Sequence, residues 1–127
     1  MSDYRLSSSG SSDRPRVLVV EDEALIAMTV ADYLEELGYE CVGPFLEMEK
    51  ALPIARTEML DAAILDIKMR EADSYELAEI LASRGIPFGF ATGFLHEAMP
   101  PRWSDRPYVL KPYVLENVRE LLLALLP

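Results

Sequence analysis

Short apolar runs alternate with amphipathic segments along most of the chain. The β-branched run at residues 16–20 predicts a buried strand, and residues 24–37 then carry apolar side chains at helical spacing, with Gly38 as the stop. Similar runs predict four more strands, at 39–42, 62–66, 86–91 and 108–110. Periodic segments predict three more helices, at 45–59, 74–83 and 113–126.

Strands that alternate with helices indicate a parallel sheet joined by right-handed crossovers. Apolar strands without polar alternation indicate a sheet that is covered on both faces. We therefore predict an α/β fold, a doubly wound five-stranded parallel sheet with helices on both faces. Two segments interrupt the pattern. Pro53 should kink or divide the second helix. The proline-rich segment 94–107, between the fourth and fifth strands, should leave the fourth crossover helix of the doubly wound fold short or irregular.

Composition indicates one globular domain at residues 15–127, after a serine-rich tail at 1–14 that we expect to be disordered. The single cysteine, Cys41, excludes an intramolecular disulfide framework. Because the chain has no long apolar run and no apolar stretch near its N-terminus, we expect a cytoplasmic protein. A net charge of −10 argues against nucleic acid and anionic membranes as partners.

Polar side chains mark the ends of the predicted strands. Glu21 and Asp22 follow the first strand, Asp66 ends the third, Thr92 follows the fourth and Lys111 follows the fifth. Since the carboxyl ends of parallel strands meet at one edge, where open α/β sheets bind ligands, we expect these five residues to converge.

The chemistry of this set can be argued from its residue types. Three neighbouring carboxylates repel one another unless a hard divalent cation such as Mg²⁺ lies between them. One carboxylate left partly free could attack a phosphoryl group, and a lysine and a hydroxyl could then hold the phosphoryl oxygens. Taken singly, each has an ordinary explanation: Asp22 as a helix cap, Thr92 as a turn residue, Lys111 as a solvated strand end.

Four motifs in this order resemble those of response regulator receiver domains of two-component signalling. They are residues 17–23 (VLVVEDE), 64–69 (ILDIKM), 90–93 (FATG) and 110–113 (LKPY). The resemblance covers residues 16–127 and implies a flavodoxin-like sheet of strand order 2-1-3-4-5. It also implies Mg²⁺ as cofactor, and a histidine kinase or histidine phosphotransfer protein as the phosphoryl donor.

The resemblance assigns a role to each matching residue. Asp66 would be the phosphoacceptor, Asp22 would bind Mg²⁺ directly, and Glu21 would bind it through water. The backbone carbonyl of Lys68 would be a further metal ligand. Thr92 would hydrogen-bond a phosphoryl oxygen.

Further positions are implied around the phosphoryl group. Lys111 would pair with the phosphoryl group, and Pro112 matches the family's cis-peptide position. Tyr108 would turn inward as a switch when Thr92 moves. Lys68 and Phe94 would flank the phosphoryl group and tune its lifetime.

The FATG motif is similar to that of a subgroup of stand-alone receivers that partner atypical histidine kinases in bacteria. It predicts a single-domain response regulator that signals through phosphorylation-dependent protein contacts, because no output domain follows Pro127. Two alternatives stay open: a phosphate sink for a shared kinase, and a pseudo-receiver that binds partners without phosphorylation. The downstream target is unknown and a homodimer is left open.

An enzyme with turnover on a separate substrate is not expected. Aspartate-nucleophile phosphatases carry a second acid two residues after the nucleophile, and this chain has Lys68 there. We expect only self-phosphorylation and autodephosphorylation. Leu25 and Met28 should lie off the buried face of the first helix, either as ordinary exposed side chains or as a kinase-docking surface. Leu123 should be exposed on the last helix.

Overall fold

The computed structural model describes residues 13–67, 69, 74–93, 100–111 and 114–127. Within these ranges five strands are present: β1 (Arg16–Val20), β2 (Glu40–Phe45), β3 (Ala62–Asp66), β4 (Phe88–Thr92) and β5 (Tyr108–Leu110). Four α-helices accompany them: α1 (Ala24–Leu37), α2 (Met48–Thr57), α3 (Tyr75–Ser83) and α4 (Leu115–Leu125). A 3₁₀ turn, Pro101–Trp103, lies between β4 and β5.

The five strands form one parallel sheet in the order β2-β1-β3-β4-β5. This arrangement confirms the predicted doubly wound fold and its 2-1-3-4-5 strand order. The order reverses between β1 and β3, and such a switch point opens a crevice at the carboxyl ends of the strands.

Alternate residues of each central strand supply two separate hydrophobic cores. In β1, Val17 and Val19 pack on the side of α1 and α4, whereas Leu18 and Val20 pack on the side of α2 and α3. All four are buried. The wholly apolar run at 17–20 is thus explained by a strand that has helices on both faces.

Two of the predicted elements need correction. β2 continues through Gly43 and Pro44, which are joined by a cis peptide, and ends at Phe45. The expected division of the second helix is wrong, because α2 runs from Met48 to Thr57 with Pro53 inside it. Ala51 and Ala55 are buried on either side of Pro53, so packing holds the helix together despite the hydrogen bond that proline cannot make.

Smaller differences concern the first and last residues of two elements. Phe88 is the first residue of β4, and Thr92 belongs to the strand instead of following it. Val114 lies within the predicted closing helix 113–126, but it precedes α4 and its side chain is exposed. Exposure of Leu25, Met28 and Leu123 is confirmed.

The described part of the proline-rich segment is irregular, as predicted, except for its 3₁₀ turn. Trp103 is buried and packs edge-on against Phe88, with 5.5 Å between the ring centroids. Arg102 donates two hydrogen bonds to Glu79 of α3, at 2.6 and 2.7 Å. The turn is therefore anchored to the α2/α3 face of the sheet. Residues 94–99, and most of the predicted N-terminal tail, lie outside the described residues.

Candidate functional site

The carboxyl edge of the sheet gathers the five predicted polar residues. Glu21 directly follows β1, Asp66 and Thr92 are the last residues of β3 and β4, and Lys111 directly follows β5. The backbone N–H of Lys111 donates to the carbonyl of Thr92 at 2.7 Å, which fixes the end of β5 against the end of β4. Placement at strand ends, which the sequence predicted, is confirmed.

Three carboxylates form a compact cluster at this edge. One oxygen each of Glu21, Asp22 and Asp66 lies within 4.8 Å of the others. Glu21 and Asp66 are only 2% and 5% exposed, so neither charge is well solvated. The residue at the N-cap of α1 is Glu23, and its side chain makes no capping hydrogen bond. Asp22, the residue that sequence alone offered as a helix cap, is therefore not the N-cap residue of α1.

Lys111 supplies the positive charge that this cluster needs. Its Nζ lies 2.8 Å from Oε1 of Glu21, 3.1 Å from Oδ2 of Asp66 and 3.8 Å from Oε1 of Glu23. Burial acts to lower the pKa of Lys111, but the hydrogen bond to Glu21 and the charge of Asp66 outweigh it, and the pKa is raised. Lys111 thus stays protonated and shares one positive charge among three acids.

Asp66 is the acid most affected by its surroundings. Burial, followed by the nearby charge of Glu21, raises the pKa of Asp66 to about 7, although the Lys111 ammonium opposes the change. Ionising Asp66 therefore costs more free energy than ionising an exposed aspartate, and nearby positive charge lowers that cost. Binding of a cation would stabilise the ionised form of this carboxylate, and so would any other positive charge near it.

Thr92 and Tyr108 lie on neighbouring strands. Thr92 is buried at the end of β4, while Tyr108 begins the edge strand β5 and is 40% exposed. Tyr108 pairs in register with Phe90, two residues before Thr92. The predicted roles of Lys68, Phe94 and Pro112 fall outside the described residues.

A groove of about 670 Å³ opens beside the acidic cluster on the β2 side. Asp22, Ala24 and Met69 line one part of it. The rest of the lining comes from the end of β2, the β2–α2 connection and the start of α2, at Pro44, Phe45, Leu46, Glu47, Met48 and Lys50. Its walls are polar and apolar in about equal measure. Glu47 and Lys50 form an exposed ion pair of 3.2 Å at its margin.

The sequence reasoning missed Glu23 as a neighbour of the site. Its carboxylate is within 4.0 Å of Lys111, and its backbone N–H donates to Oε2 of Glu21 at 3.0 Å. The only signal was that Glu23 is the third consecutive acid after β1. Such runs are common at helix starts, so the pattern by itself did not point to Lys111.

Comparison with known proteins decides the family. The family model described as the response regulator receiver domain matches residues 17–121. The chain belongs to the response regulator receiver family. Among curated relatives, it is 36% identical over 107 residues to the transcriptional regulatory protein PdtaR of Mycobacterium tuberculosis, covering 81% of this chain and 52% of that protein. The receiver thus spans about half the length of the curated relatives it matches.

Solved structures of receivers agree with this fold. The solution structure of SdrG from Sphingomonas melonis Fr1 is 42% identical, with a TM-score of 0.80, and covers 92% of this chain and all of that one. SdrG has also been solved in a BeF3-activated conformation, at 41% identity and a TM-score of 0.78, covering 91% and 100% of the two chains. TrrA from Thermotoga maritima, solved in complex with Mg(2+)-BeF, is 28% identical, with a TM-score of 0.76 over 88% of this chain and 99% of that one.

Within the described residues of the receiver, no helix has both the length and the apolar character needed to cross a membrane.

Proposed function

We propose that this chain is a cytoplasmic response regulator receiver that accepts a phosphoryl group on Asp66 from a histidine kinase or histidine phosphotransfer protein. One observation carries the proposal: a buried carboxylate of raised pKa lies 3.1 Å from a lysine, in a cluster with two other acids. That cluster offers both a nucleophile and the charges to stabilise an added phosphoryl group. The activated SdrG structure supports the same chemistry.

The donor set fits Mg²⁺. Three carboxylates with ligand oxygens within 4.8 Å of one another are a hard, all-oxygen site, and their combined charge exceeds what Lys111 can neutralise. Glu21, Asp22 and Asp66 would hold the cation, with the backbone carbonyl of Lys68 as the ligand implied by the family. When bound, Mg²⁺ would neutralise charge on the phosphoryl oxygens and stabilise the ionised form of Asp66.

The side chains of the receiver account for the transfer itself. A carboxylate oxygen of Asp66 attacks the phosphorus, the bond from phosphorus to the donor imidazole nitrogen breaks, and its electron pair stays on that nitrogen. Lys111, already beside Asp66, pairs with a phosphoryl oxygen of the aspartyl phosphate. The Thr92 hydroxyl donates to another. Turnover on a separate substrate is not part of this proposal.

The output would be a change in protein contacts. Thr92 and Tyr108 are supported as the switch pair because they lie on adjacent strands, and Tyr108 is on the half-exposed edge. Phe94 and Lys68 remain our proposed lifetime-tuning residues. The exposed Leu25 and Met28 of α1 are the proposed surface for the kinase.

Phosphorylation of Asp66 is tested by intact-mass spectrometry after incubation with acetyl phosphate and Mg²⁺. We expect wild type to gain one phosphoryl mass, and Asp66→Asn to gain none. Asp32→Asn is the matched control, because Asp32 is an exposed acid on α1. Excess EDTA should abolish the gain.

Failure of wild type to gain mass, also with a phosphohistidine donor, would contradict the proposal and favour a phosphorylation-independent binding module. A gain that Asp66→Asn retains would place the phosphoryl group elsewhere. If wild type is labelled but loses the phosphoryl group quickly and changes no partner contact, the phosphate sink replaces the signalling output.

A further inference from the structure

Lys111 contacts two of the three acids that the proposed metal site would use. It contacts Oε1 of Glu21 at 2.8 Å and Oδ2 of Asp66 at 3.1 Å, and these acids belong to the proposed cation site. The other oxygen of Glu21, Oε2, accepts the backbone N–H of Glu23. Oε2 of this buried glutamate is therefore hydrogen-bonded, whereas Oε1 is held by the ion pair with Lys111 and has no further hydrogen-bond partner among the described residues.

A cation at this site therefore competes with the Lys111 ammonium. Two positive charges that share the same buried carboxylates repel each other, and a lysine driven away from all of its partners would lose much of its electrostatic stabilisation. Entry of the cation is easier if Lys111 can move a short distance to another acid. The side chain of Lys111 is only 13% exposed, so solvent is a poor substitute for that acid.

Glu23 is placed to be that acid. Its Oε1 is 3.8 Å from Nζ of Lys111, beyond hydrogen-bond distance but within about 1 Å of it. The Glu23 side chain is 60% exposed, so it is free to adjust, whereas Glu21 is buried. Among the described acids that form an ion pair with the Lys111 ammonium, Glu23 is the one outside the acidic cluster.

We propose that Glu23 is a positioning residue for Lys111: it accepts the ammonium when a divalent cation takes the oxygens of Glu21 and Asp66. This inference rests on the proposed magnesium site. Glu23 thereby lowers the free energy cost of metal binding. It also keeps the ammonium close to Asp66, where the phosphoryl group arrives.

Magnesium affinity of the full chain, measured by isothermal titration calorimetry without any phosphoryl donor, tests this role. We expect Glu23→Gln to weaken Mg²⁺ binding about threefold or more, the upper range for a partly exposed ion pair. Glu23→Asp keeps the charge but shortens the side chain by one methylene, so it should weaken binding similarly. Glu47→Gln is the control, since Glu47 is an exposed acid at the groove beside Asp22 and pairs with Lys50.

A double-mutant cycle with Lys111→Met distinguishes an effect of Glu23 that acts through Lys111 from an effect of its negative charge on the metal itself. If Glu23 acts through Lys111, the loss caused by Glu23→Gln should disappear in the Lys111→Met background. An equal loss in both backgrounds, or a Glu23→Asp chain that binds as wild type does, would overturn the inference. If Lys111→Met does not fold by circular dichroism, the comparison of Glu23→Asp with Glu23→Gln decides.

The result for wild type separates this inference from the proposed function. No Mg²⁺ binding by wild type would overturn the metal site, and the role of Glu23 with it. Binding by wild type, together with equal losses for Glu23→Gln and Glu47→Gln, would keep the metal site and overturn only the role of Glu23.

Discussion

The proposed role of Asp66 as a nucleophile conflicts with its surroundings. A nucleophile must be ionised, yet Asp66 lies in a buried position beside Glu21, and its pKa is raised to about 7. The folded chain therefore holds a proton on this carboxyl more tightly than the unfolded chain does. As pH rises from about 4 to 7, this residue contributes progressively less to the stability of the fold.

Asp66→Asn should stabilise the metal-free chain at alkaline pH. An amide cannot ionise, so above pH 7 the variant avoids the cost of a buried charge, and we expect a gain of about 1–3 kcal/mol in the free energy of unfolding. The gain should shrink as pH falls from 7 towards 4. Urea unfolding in EDTA at several pH values measures it. A variant less stable than wild type at pH 8 would show that the pair with Lys111 outweighs burial.

Residue patterns revealed the main members of the site but not all of its contacts. Glu21, Asp66 and Lys111 were predicted because each directly follows or ends an apolar strand, and Asp22 because it is next to Glu21. Fold topology alone brings such positions together. The approach of Glu23 to Lys111 depends on side-chain conformations at the start of α1. Hydrophobic pattern carries no information about those conformations.

Close packing between elements depends on small residues in β4. Gly89 and Ala91 face the α1/α4 side, while Phe88 and Phe90 fill the opposite face. A Cβ on Gly89 would lie 2.7 Å from Cδ1 of Leu121 and 3.1 Å from the carbonyl oxygen of Pro107. α4 therefore sits as close to the sheet as it does because Gly89 has no side chain.

Gly89→Ala should destabilise the fold by about 1–3 kcal/mol, the usual cost of overpacking. Leu121→Ala alone should cost about 2–5 kcal/mol by leaving a cavity. The double variant should be more stable than the sum of the two losses predicts, since the small side chain at 121 makes room for the new methyl group. Thermal and urea unfolding measure all three. Gly93→Ala is the control, because nothing described lies within 4 Å of its added Cβ.

Additive losses in the double variant would show that Gly89 is needed for a reason other than the approach of Leu121. A Gly93→Ala chain destabilised as much as Gly89→Ala would likewise contradict the packing argument.

Element positions were predictable where one local signal dominated. The predicted bounds of β1, β3 and β5 were correct, as was the stop of α1 at Gly38, whose φ is +93°. Pro53 and the Gly43–Pro44 pair misled because local proline signals competed with long-range packing, which a sequence window does not contain. The strand continues past Gly43 because its φ of +111° lets the backbone turn and still return to pair Phe45 with Val20.

At the scale of the whole molecule, one sheet is shared by two cores. β1, β3 and β4 contribute side chains to both faces, so neither core can lose its strands without exposing the other. The described part of the chain therefore has one cooperative unit instead of two. Trp103 is the only tryptophan and reports on the α2/α3 side alone.

Unfolding should consequently be a single transition. Tryptophan fluorescence and far-ultraviolet circular dichroism should give the same urea midpoint, although Trp103 is on one face of the sheet. Gly89→Ala acts on the opposite face, and we expect it to move both midpoints by the same amount. Midpoints that separate, in wild type or in this variant, would show that the two cores unfold independently.

The margins of the sheet bear on how copies of this receiver could meet. β2 is one outer strand, and its Pro44 provides no backbone N–H, next to a break in the pairing register with β1. The other outer strand, β5, is three residues long. Both outer strands are therefore poor templates for backbone hydrogen bonds to a strand of a second molecule. Any self-association must then rely on side-chain shape, which single substitutions can alter while the sheet stays intact.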